Sequence, residues 1–183
     1  MSRNYKFQNP EGWYFVSFAT VYWLSVFTRR IYKDCIVEHL KFCIEEKGMV
    51  LGAWIIMSNH IHLIFSAKEN NPQRLLQSFK SSTAKELIEL IKRHPQESKR
   101  ERYIWFMELA AKRNATTQNK MQFWQHHNKP IELWSNKAIQ KNLDYLHYNP
   151  VESGEVAEPE HYLYSSAIDY VGGKGMLEVN LMV

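Results

Sequence analysis

The chain is predicted to adopt an α+β fold of the ferredoxin-like class, an antiparallel sheet with helices packed mainly on one face, as in RNA-recognition modules. Three observations predict it. Strand-like and helix-like segments follow the order β-α-β-β-α-β-α, only the turn residues Ser58 and Asn59 separate two of the strands, and a basic helical insertion precedes the last strand. With 183 residues and an apolar fraction of 45%, the chain fits a single domain over residues 1–183.

The first half of the chain provides three strands and one helix. Residues 13–21 are rich in aromatic and β-branched side chains and predict the first strand. Apolar residues recur at helical spacing over 34–47, and Gly48 is placed to end that helix. The mostly apolar segment 49–57 predicts the second strand and 60–66 the third, so that the two form a hairpin.

The second half begins with a helix that has Pro72 in its first turn and ends before Pro95. Residues 96–113 predict a further helix, which is basic and forms most of an insertion at about 95–120. The end of that insertion, 114–120, is polar and turn-like, which predicts a connection.

A strand and a helix follow the insertion. Residues 121–127 predict the fourth strand. Ser135 is placed as the N-cap of the last helix, which we expect to end near Tyr148, because Pro150 disfavours helical geometry in the residue before it. Residues from about 172 to 183 then form a C-terminal extension.

Positive charge is concentrated in one segment. The net charge of the chain is +4 and its isoelectric point is about 9.0. Between residues 92 and 120, eight basic residues stand against three acidic ones, so this segment carries +5 and the remainder of the chain −1. A charge run of this kind is typical of a solvated surface helix, and it also fits an electrostatic contact with nucleic-acid phosphates.

The cysteines and the N-terminus indicate the compartment. Cys35 and Cys43 belong to one predicted helix, in which a rise of about 1.5 Å per residue places them about 12 Å apart, too far for a disulfide. The N-terminus lacks the apolar stretch of a secretion signal, and no run approaches the roughly 18 apolar residues of a membrane helix. We therefore expect a soluble cytoplasmic protein with no membrane partner.

Two histidines project from one face of the third strand. Residues two apart in a strand face the same way, so His60 and His62 point together while Ile61 and Leu63 point into the core. Two neutral imidazoles about 7 Å apart at the backbone can bind one divalent ion. The alternative is a pair of half-buried polar residues on the open face of the sheet, and the spacing alone does not decide between them.

The last helix presents an amine, a phenol and an amide on one face. Lys141, Tyr145 and Asn149 share that face by their spacing of four residues. A phenol can attack phosphorus and form a phosphotyrosine, and a nearby cation, a metal or Lys141, would lower its ordinary pKa of about 10. An amide oxygen would complement two imidazoles as a hard ligand. Alternatively, Asn149 only ends the helix and Tyr145 only lies between core and solvent.

Three sequence motifs follow one another along the chain in a characteristic order. They are MSNHIHLI at 57–64, YLHYNPVESGEV at 145–156 and YLYSS at 162–166, accompanied by Phe79-Lys80 and Phe123-Trp124. In this order and spacing the chain resembles the single-tyrosine HUH transposases, in particular the REP-associated tyrosine transposases of bacteria. The resemblance spans roughly residues 13–171.

The resemblance implies a ferredoxin-like fold and a metal-dependent single-stranded DNA endonuclease and strand transferase. Tyr145 would attack a DNA phosphate, leaving a 5′-phosphotyrosine and a free 3′-OH without a nucleotide cofactor. His60 and His62 would hold Mg²⁺ or Mn²⁺, with Asn149 as third ligand. Insertion-sequence relatives have glutamine where this chain has Asn149. That departure favours the REP-associated branch, whose members resemble domesticated enzymes acting on short chromosomal palindromes that fold into hairpins.

The implied partner is single-stranded or hairpin DNA in the nucleoid of a bacterial cytoplasm, bound by a monomer or a homodimer. We expect basic side chains to grip that DNA: Lys80, Arg100, Arg102, Lys112, Arg113 and Lys141. One alternative is a DNA-hairpin-binding protein that has the same fold but does not cleave DNA. The sequence argues against this alternative, because all residues of the candidate site are present in this chain. Another is an RNA-binding module, which would need exposed aromatic residues where the third strand has His60 and His62.

Overall fold

The sheet has four antiparallel strands in the order β2-β3-β1-β4, which confirms the predicted ferredoxin-like fold. The computed structural model describes residues 7–114, 120–126 and 128–182. Within them the strands are β1 (Tyr14–Ala19), β2 (Met49–Ile56), β3 (His60–Ala67) and β4 (Ile131–Glu132). The edges of the sheet are therefore β2 and the short β4.

Helices pack on both faces of this sheet. They are α1 (Arg30–Glu46), α2 (Pro72–Arg93), α3 (Arg100–Arg113), α4 (Asn136–Glu152) and α5 (Ala167–Tyr170), with 3₁₀ turns at Val21–Trp23, Val26–Thr28 and Pro159–His161. On β1, Phe18 contacts Phe79 of α2, whereas Phe15 contacts Tyr145 of α4. Because residues three apart in a strand face opposite ways, α4 lies on the face opposite α2.

Three predicted helix ends are confirmed. Gly48 follows α1 with a φ of +69°, the left-handed conformation that glycine adopts readily. The Asn71 side chain accepts a hydrogen bond from the Arg74 amide at the start of α2. In the same way, Ser135 accepts from the Ala138 amide at the start of α4.

The fourth strand is not where the sequence predicts it. The prediction of 121–127 is wrong, because β4 lies at Ile131–Glu132 and pairs with Tyr14 and Phe15. Residues 121–126 lie beside the end of β1 and form only an isolated bridge there. Their apolar pattern reflects burial of Phe123 and Trp124 in the core rather than a hydrogen-bonded ladder. His127 of the predicted strand lies outside the described residues.

The last helix is longer than predicted. It ends at Glu152 and contains Pro150, where the sequence predicts an end near Tyr148. A proline near the end of a helix removes only one hydrogen bond, and the Ser153 amide continues the ladder to the Asn149 carbonyl at 3.0 Å. Asn149 is therefore a helical residue, one turn after Tyr145.

The predicted basic helix exists as α3, and its start is tied to the end of α2. The Arg100 guanidinium donates to the carbonyls of Ile91 and His94, which have no helical partner at that end. Of the connection predicted at 114–120, residues 115–119 lie outside the described residues.

The end of α5 and the C-terminal extension lie against the outer edge of the sheet. The Asn180 amide donates to the Leu51 carbonyl at 2.8 Å, and the Tyr170 hydroxyl donates to the Gly52 carbonyl at 2.8 Å. Further along the same edge of β2, the Ile56 amide donates to the Tyr164 carbonyl and the Ser166 amide donates to the Trp54 carbonyl, both at 3.0 Å, so this edge is covered. None of the helices in the described ranges has the length and apolar character needed to span a membrane.

Candidate active site

His60 and His62 lie side by side on β3, on the face that α4 covers. In the β1–β3 ladder they stand opposite Ala19 and Ser17, and their ring centroids are 4.8 Å apart. The predicted common face of the two imidazoles is therefore present. Ile61 and Leu63 are fully buried on the other face, as predicted.

The turn before β3 orients His60. The Asn59 side-chain oxygen lies 2.7 Å from His60 Nδ1. An amide oxygen only accepts, so Nδ1 carries the proton and Nε2 keeps a lone pair. Burial lowers the pKa of His60, against the opposing effects of a hydrogen bond with Asn149 and the charge of Glu155. Asn149 thus reaches the imidazole from α4.

His62 is the least satisfied polar side chain of the site. It is 2% exposed, and neither ring nitrogen has a hydrogen-bond partner among the described residues. Its ring stacks on Phe15 with centroids 5.3 Å apart. Burial, with a smaller contribution from His60, lowers the pKa of His62 to about 3, so the imidazole is neutral.

An unpaired buried imidazole is costly, because its nitrogens lose water without gaining a partner. A divalent cation offers what His62 lacks, since neutral imidazole nitrogen is a common metal ligand. His60 Nε2 and the Asn149 amide oxygen are the neighbouring donors. This donor set fits the divalent metal that the sequence predicts.

The Tyr145 ring packs edge-on against His62. The ring centroids of Tyr145 and His62 are 5.3 Å apart, and Phe15 contacts the Tyr145 ring from β1. The Tyr145 side chain is 51% exposed, so a substrate can reach it. The Asn149 amide nitrogen donates to the Tyr145 carbonyl at 3.3 Å, which leaves its oxygen outside that bond. The structure therefore brings together the four residues that the sequence placed in two distant segments.

Trp23 is a neighbour of this site that the sequence analysis did not find. Its side chain is 58% exposed, and its ring centroid is 6.1 Å from that of His60. The backbone has a φ of +54° there, which is uncommon for a bulky residue. The Asn59 side chain donates to the Trp23 carbonyl at 3.5 Å and so links Trp23 to His60.

Two of the predicted DNA-binding residues have partners inside the protein. The Lys80 amine donates to the Gln125 carbonyl at 3.0 Å and to the Asn128 side chain, and burial lowers the pKa of Lys80 to about 8. Arg100 holds the end of α2. A contact of either residue with DNA stays a prediction.

The other four predicted DNA-binding residues are exposed. Arg102, Lys112 and Arg113 lie on α3, and Lys141 lies on α4 one turn before Tyr145. Lys141 therefore shares the helix face of the tyrosine, as its spacing predicts.

Comparison with known proteins identifies the family. The sequence model of a family described as IS200-like transposase matches residues 11–121. That stretch includes the histidine pair and ends before α4. Among curated proteins, none matches the chain with significance.

A solved structure is similar over nearly the whole chain. It is described as a REP-associated tyrosine transposase bound to a REP hairpin, and the TM-score is 0.55 at 14% sequence identity. The alignment covers 98% of this chain and 90% of that chain. At this identity the likeness establishes the fold, whereas the family model matches more than half of the residues and establishes membership. This chain belongs to the family of IS200-like transposases.

Proposed function

We propose that this protein cleaves and rejoins single-stranded DNA through a 5′-phosphotyrosine, in a divalent-metal-dependent reaction on palindromic DNA that folds into hairpins. The observation that carries the proposal is the edge contact of the half-exposed Tyr145 ring with the buried imidazole of His62, which has no hydrogen-bond partner among the described residues. The hairpin is proposed as substrate because the solved structure similar to this chain is described as bound to one.

Tyr145 is the nucleophile in this proposal. Its phenolic oxygen loses its proton and attacks phosphorus, forming the tyrosine–phosphate bond while the bond to the 3′ oxygen breaks and that oxygen takes up a proton. The DNA then has a free 3′-OH on one side and a 5′-phosphotyrosine on the other. Attack by a 3′-OH on the phosphotyrosine reverses the step and releases Tyr145, so no nucleotide cofactor is consumed.

His60, His62 and Asn149 are the residues that would hold Mg²⁺ or Mn²⁺. The ion, when bound, would polarise the scissile phosphate. Asn59 keeps the proton of His60 on Nδ1, so that Nε2 is available as a ligand. Lys141, on the same helix face as Tyr145, is proposed to contact the DNA backbone.

The four residues at the centre of the site all come from one chain. A monomer and a homodimer are therefore both compatible with the chemistry. We propose that residues 1–183 act as one domain, and that the protein works where its substrate is, at the bacterial nucleoid.

The experiment that tests the proposed function is the formation of a covalent protein–DNA adduct. The protein is incubated with labelled single-stranded hairpins and with Mg²⁺, Mn²⁺ or a chelator, and a denaturing gel detects any DNA that stays attached. Adduct with either ion and none with chelator is the expected result. Hairpins from host palindromes that bind without ever forming an adduct would favour the non-catalytic hairpin-binding protein.

The basic face of α3 is proposed to bind DNA phosphates. Replacing Arg102, Lys112 and Arg113 by glutamine should reduce the slope of log K against log salt concentration by about 0.7 for each lost contact with single-stranded DNA, or about 2 in total. Fluorescence anisotropy at several salt concentrations measures that slope. A control variant with Lys41, Lys47 and Lys68 replaced by glutamine has the same charge change. An equal slope change in both variants would contradict a local contact.

Trp23 is proposed to stack on a base next to the scissile phosphate. Trp23→Ala should weaken binding of a hairpin with a single-stranded flank by about 1–3 kcal/mol, the usual contribution of base–aromatic stacking. Trp23→Phe should retain most of that binding free energy. Trp134, which is 83% exposed at the start of α4, provides the control Trp134→Ala. Equal losses for the two alanine variants in an anisotropy titration would argue against a specific stacking site.

A further inference from the structure

A second group of metal-ligand side chains lies between α1 and α2, on the face of the sheet opposite α4. Cys35 and His39 are one turn apart on α1, and Glu86 reaches them from α2. One ligand atom from each of these three residues lies within 4.8 Å of the other two. The proposed DNA chemistry uses none of them.

The backbone fixes which nitrogen of His39 can bind a metal. His39 Nδ1 lies 3.0 Å from the Cys35 carbonyl oxygen and 3.9 Å from the Cys35 sulfur. A carbonyl oxygen only accepts, so Nδ1 carries the proton. Nε2 then keeps its lone pair and faces the Glu86 carboxylate. A metal-bound histidine usually donates its other ring N–H to a carbonyl or carboxylate, and His39 already has this arrangement.

The distance between His39 and Glu86 fits a cation between them. His39 Nε2 and Glu86 Oε2 are 3.4 Å apart. A charge-assisted N–H···O hydrogen bond is shorter, about 2.7–2.9 Å. Two ligands of a tetrahedral ion, each about 2.1 Å from it, are about 3.4 Å apart. The separation of His39 Nε2 and Glu86 Oε2 matches that of two tetrahedral ligands, and the Cys35 sulfur completes the set within 4.8 Å.

Sulfur, nitrogen and oxygen donors together favour zinc over magnesium. We propose that Cys35, His39 and Glu86 bind a zinc-like divalent ion, with water at the fourth position, and that this ion links α1 to α2. The thiol must lose its proton to bind. Burial raises the pKa of Cys35 to about 12, and coordination of the ion deprotonates a thiol in spite of such a shift.

Cobalt is the probe for this site, because a thiolate bound to Co²⁺ gives a charge-transfer absorption band that His60 and His62 cannot produce. The full chain is stripped with chelator and titrated with Co²⁺. Only Cys35 and Cys43 can supply a thiolate. Both are buried on α1, so Cys43→Ser is the matched control for Cys35→Ser. A His60→Ala/His62→Ala variant separates this site from the candidate active site.

We expect the band in the unsubstituted protein and in Cys43→Ser, with saturation between one and two equivalents because the candidate active site also takes up cobalt. In the histidine double variant the band should saturate at one equivalent, and in Cys35→Ser it should be lost. The Glu86 side chain is 56% exposed, so Glu86→Gln leaves the fold intact and should weaken cobalt binding at least tenfold. Addition of Zn²⁺ should bleach the band. Absence of the band from the unsubstituted protein, its persistence in Cys35→Ser, or unchanged affinity in Glu86→Gln would overturn the proposal.

Discussion

Tyr145→Phe should form no covalent adduct with hairpin DNA and should bind that DNA as tightly as the unsubstituted protein. The phenolic oxygen is the atom that would be linked to phosphorus, so its removal leaves nothing to carry the DNA. The phenyl ring keeps its contacts with Phe15 and His62. Because the side chain is half-exposed, the free energy of unfolding should change by no more than about 0.5 kcal/mol.

The measurement combines a denaturing gel for the adduct with anisotropy for the affinity. Tyr148→Phe is the matched control, since Tyr148 is an exposed tyrosine on the same helix, three residues further on. It should form adduct at the normal rate. Persistence of the adduct in Tyr145→Phe, or its loss in Tyr148→Phe, would show that Tyr145 is not the nucleophile.

His62→Leu should abolish cleavage while leaving the metal-free protein at least as stable. A bound metal ion contributes several kcal/mol to stabilisation of the transition state, so loss of a ligand should reduce the rate by a factor of about 10³ or more. Without metal, the two unpaired nitrogens of His62 only cost free energy, and leucine removes that cost while filling the space. Activity and stability should therefore change in opposite directions.

A half-buried histidine, His147, provides the control for His62. The pKa of His147 is lowered by burial to about 4, but His147 Nε2 has a partner, the Ser166 hydroxyl at 2.8 Å. His147→Leu should therefore lower the free energy of unfolding by about 1 kcal/mol and leave cleavage unchanged. Urea denaturation in chelator and the adduct assay with Mn²⁺ measure the two effects. Destabilisation of both variants alike would mean that His62 is an ordinary structural residue.

Local sequence patterns were sufficient to predict those features that depend on a single strand or helix. The alternation of a strand placed His60 and His62 on one face, and the helical repeat placed Tyr145 and Asn149 on one face. Helix-capping preferences also predicted the end of α1, which Gly48 follows. These features depend only on residues a few positions apart, so they could be predicted before any contact between elements was known.

Local patterns failed where long-range packing competes with them. The aromatic residues Phe123 and Trp124 are buried, and burial gives the same apolar pattern as a strand, so β4 was misplaced. The prediction that Lys80 binds DNA stays untested, but no local pattern indicated that its amine is held by Gln125 and Asn128. Pro150 ends many helices, but here the following amides continue the ladder.

By itself, the sequence determined the composition of the two halves of the site, because periodicity within a strand or a helix fixes which side chains point together. Only the tertiary structure decided that these halves meet, with the Tyr145 ring packed edge-on against His62. It also decided that His62 is buried with no hydrogen-bond partner in the described part of the chain, and that Trp23 stands beside His60. The reason is physical: burial and contact depend on how α4 and the Val21–Trp23 turn pack on the sheet, and no local repeat encodes that packing.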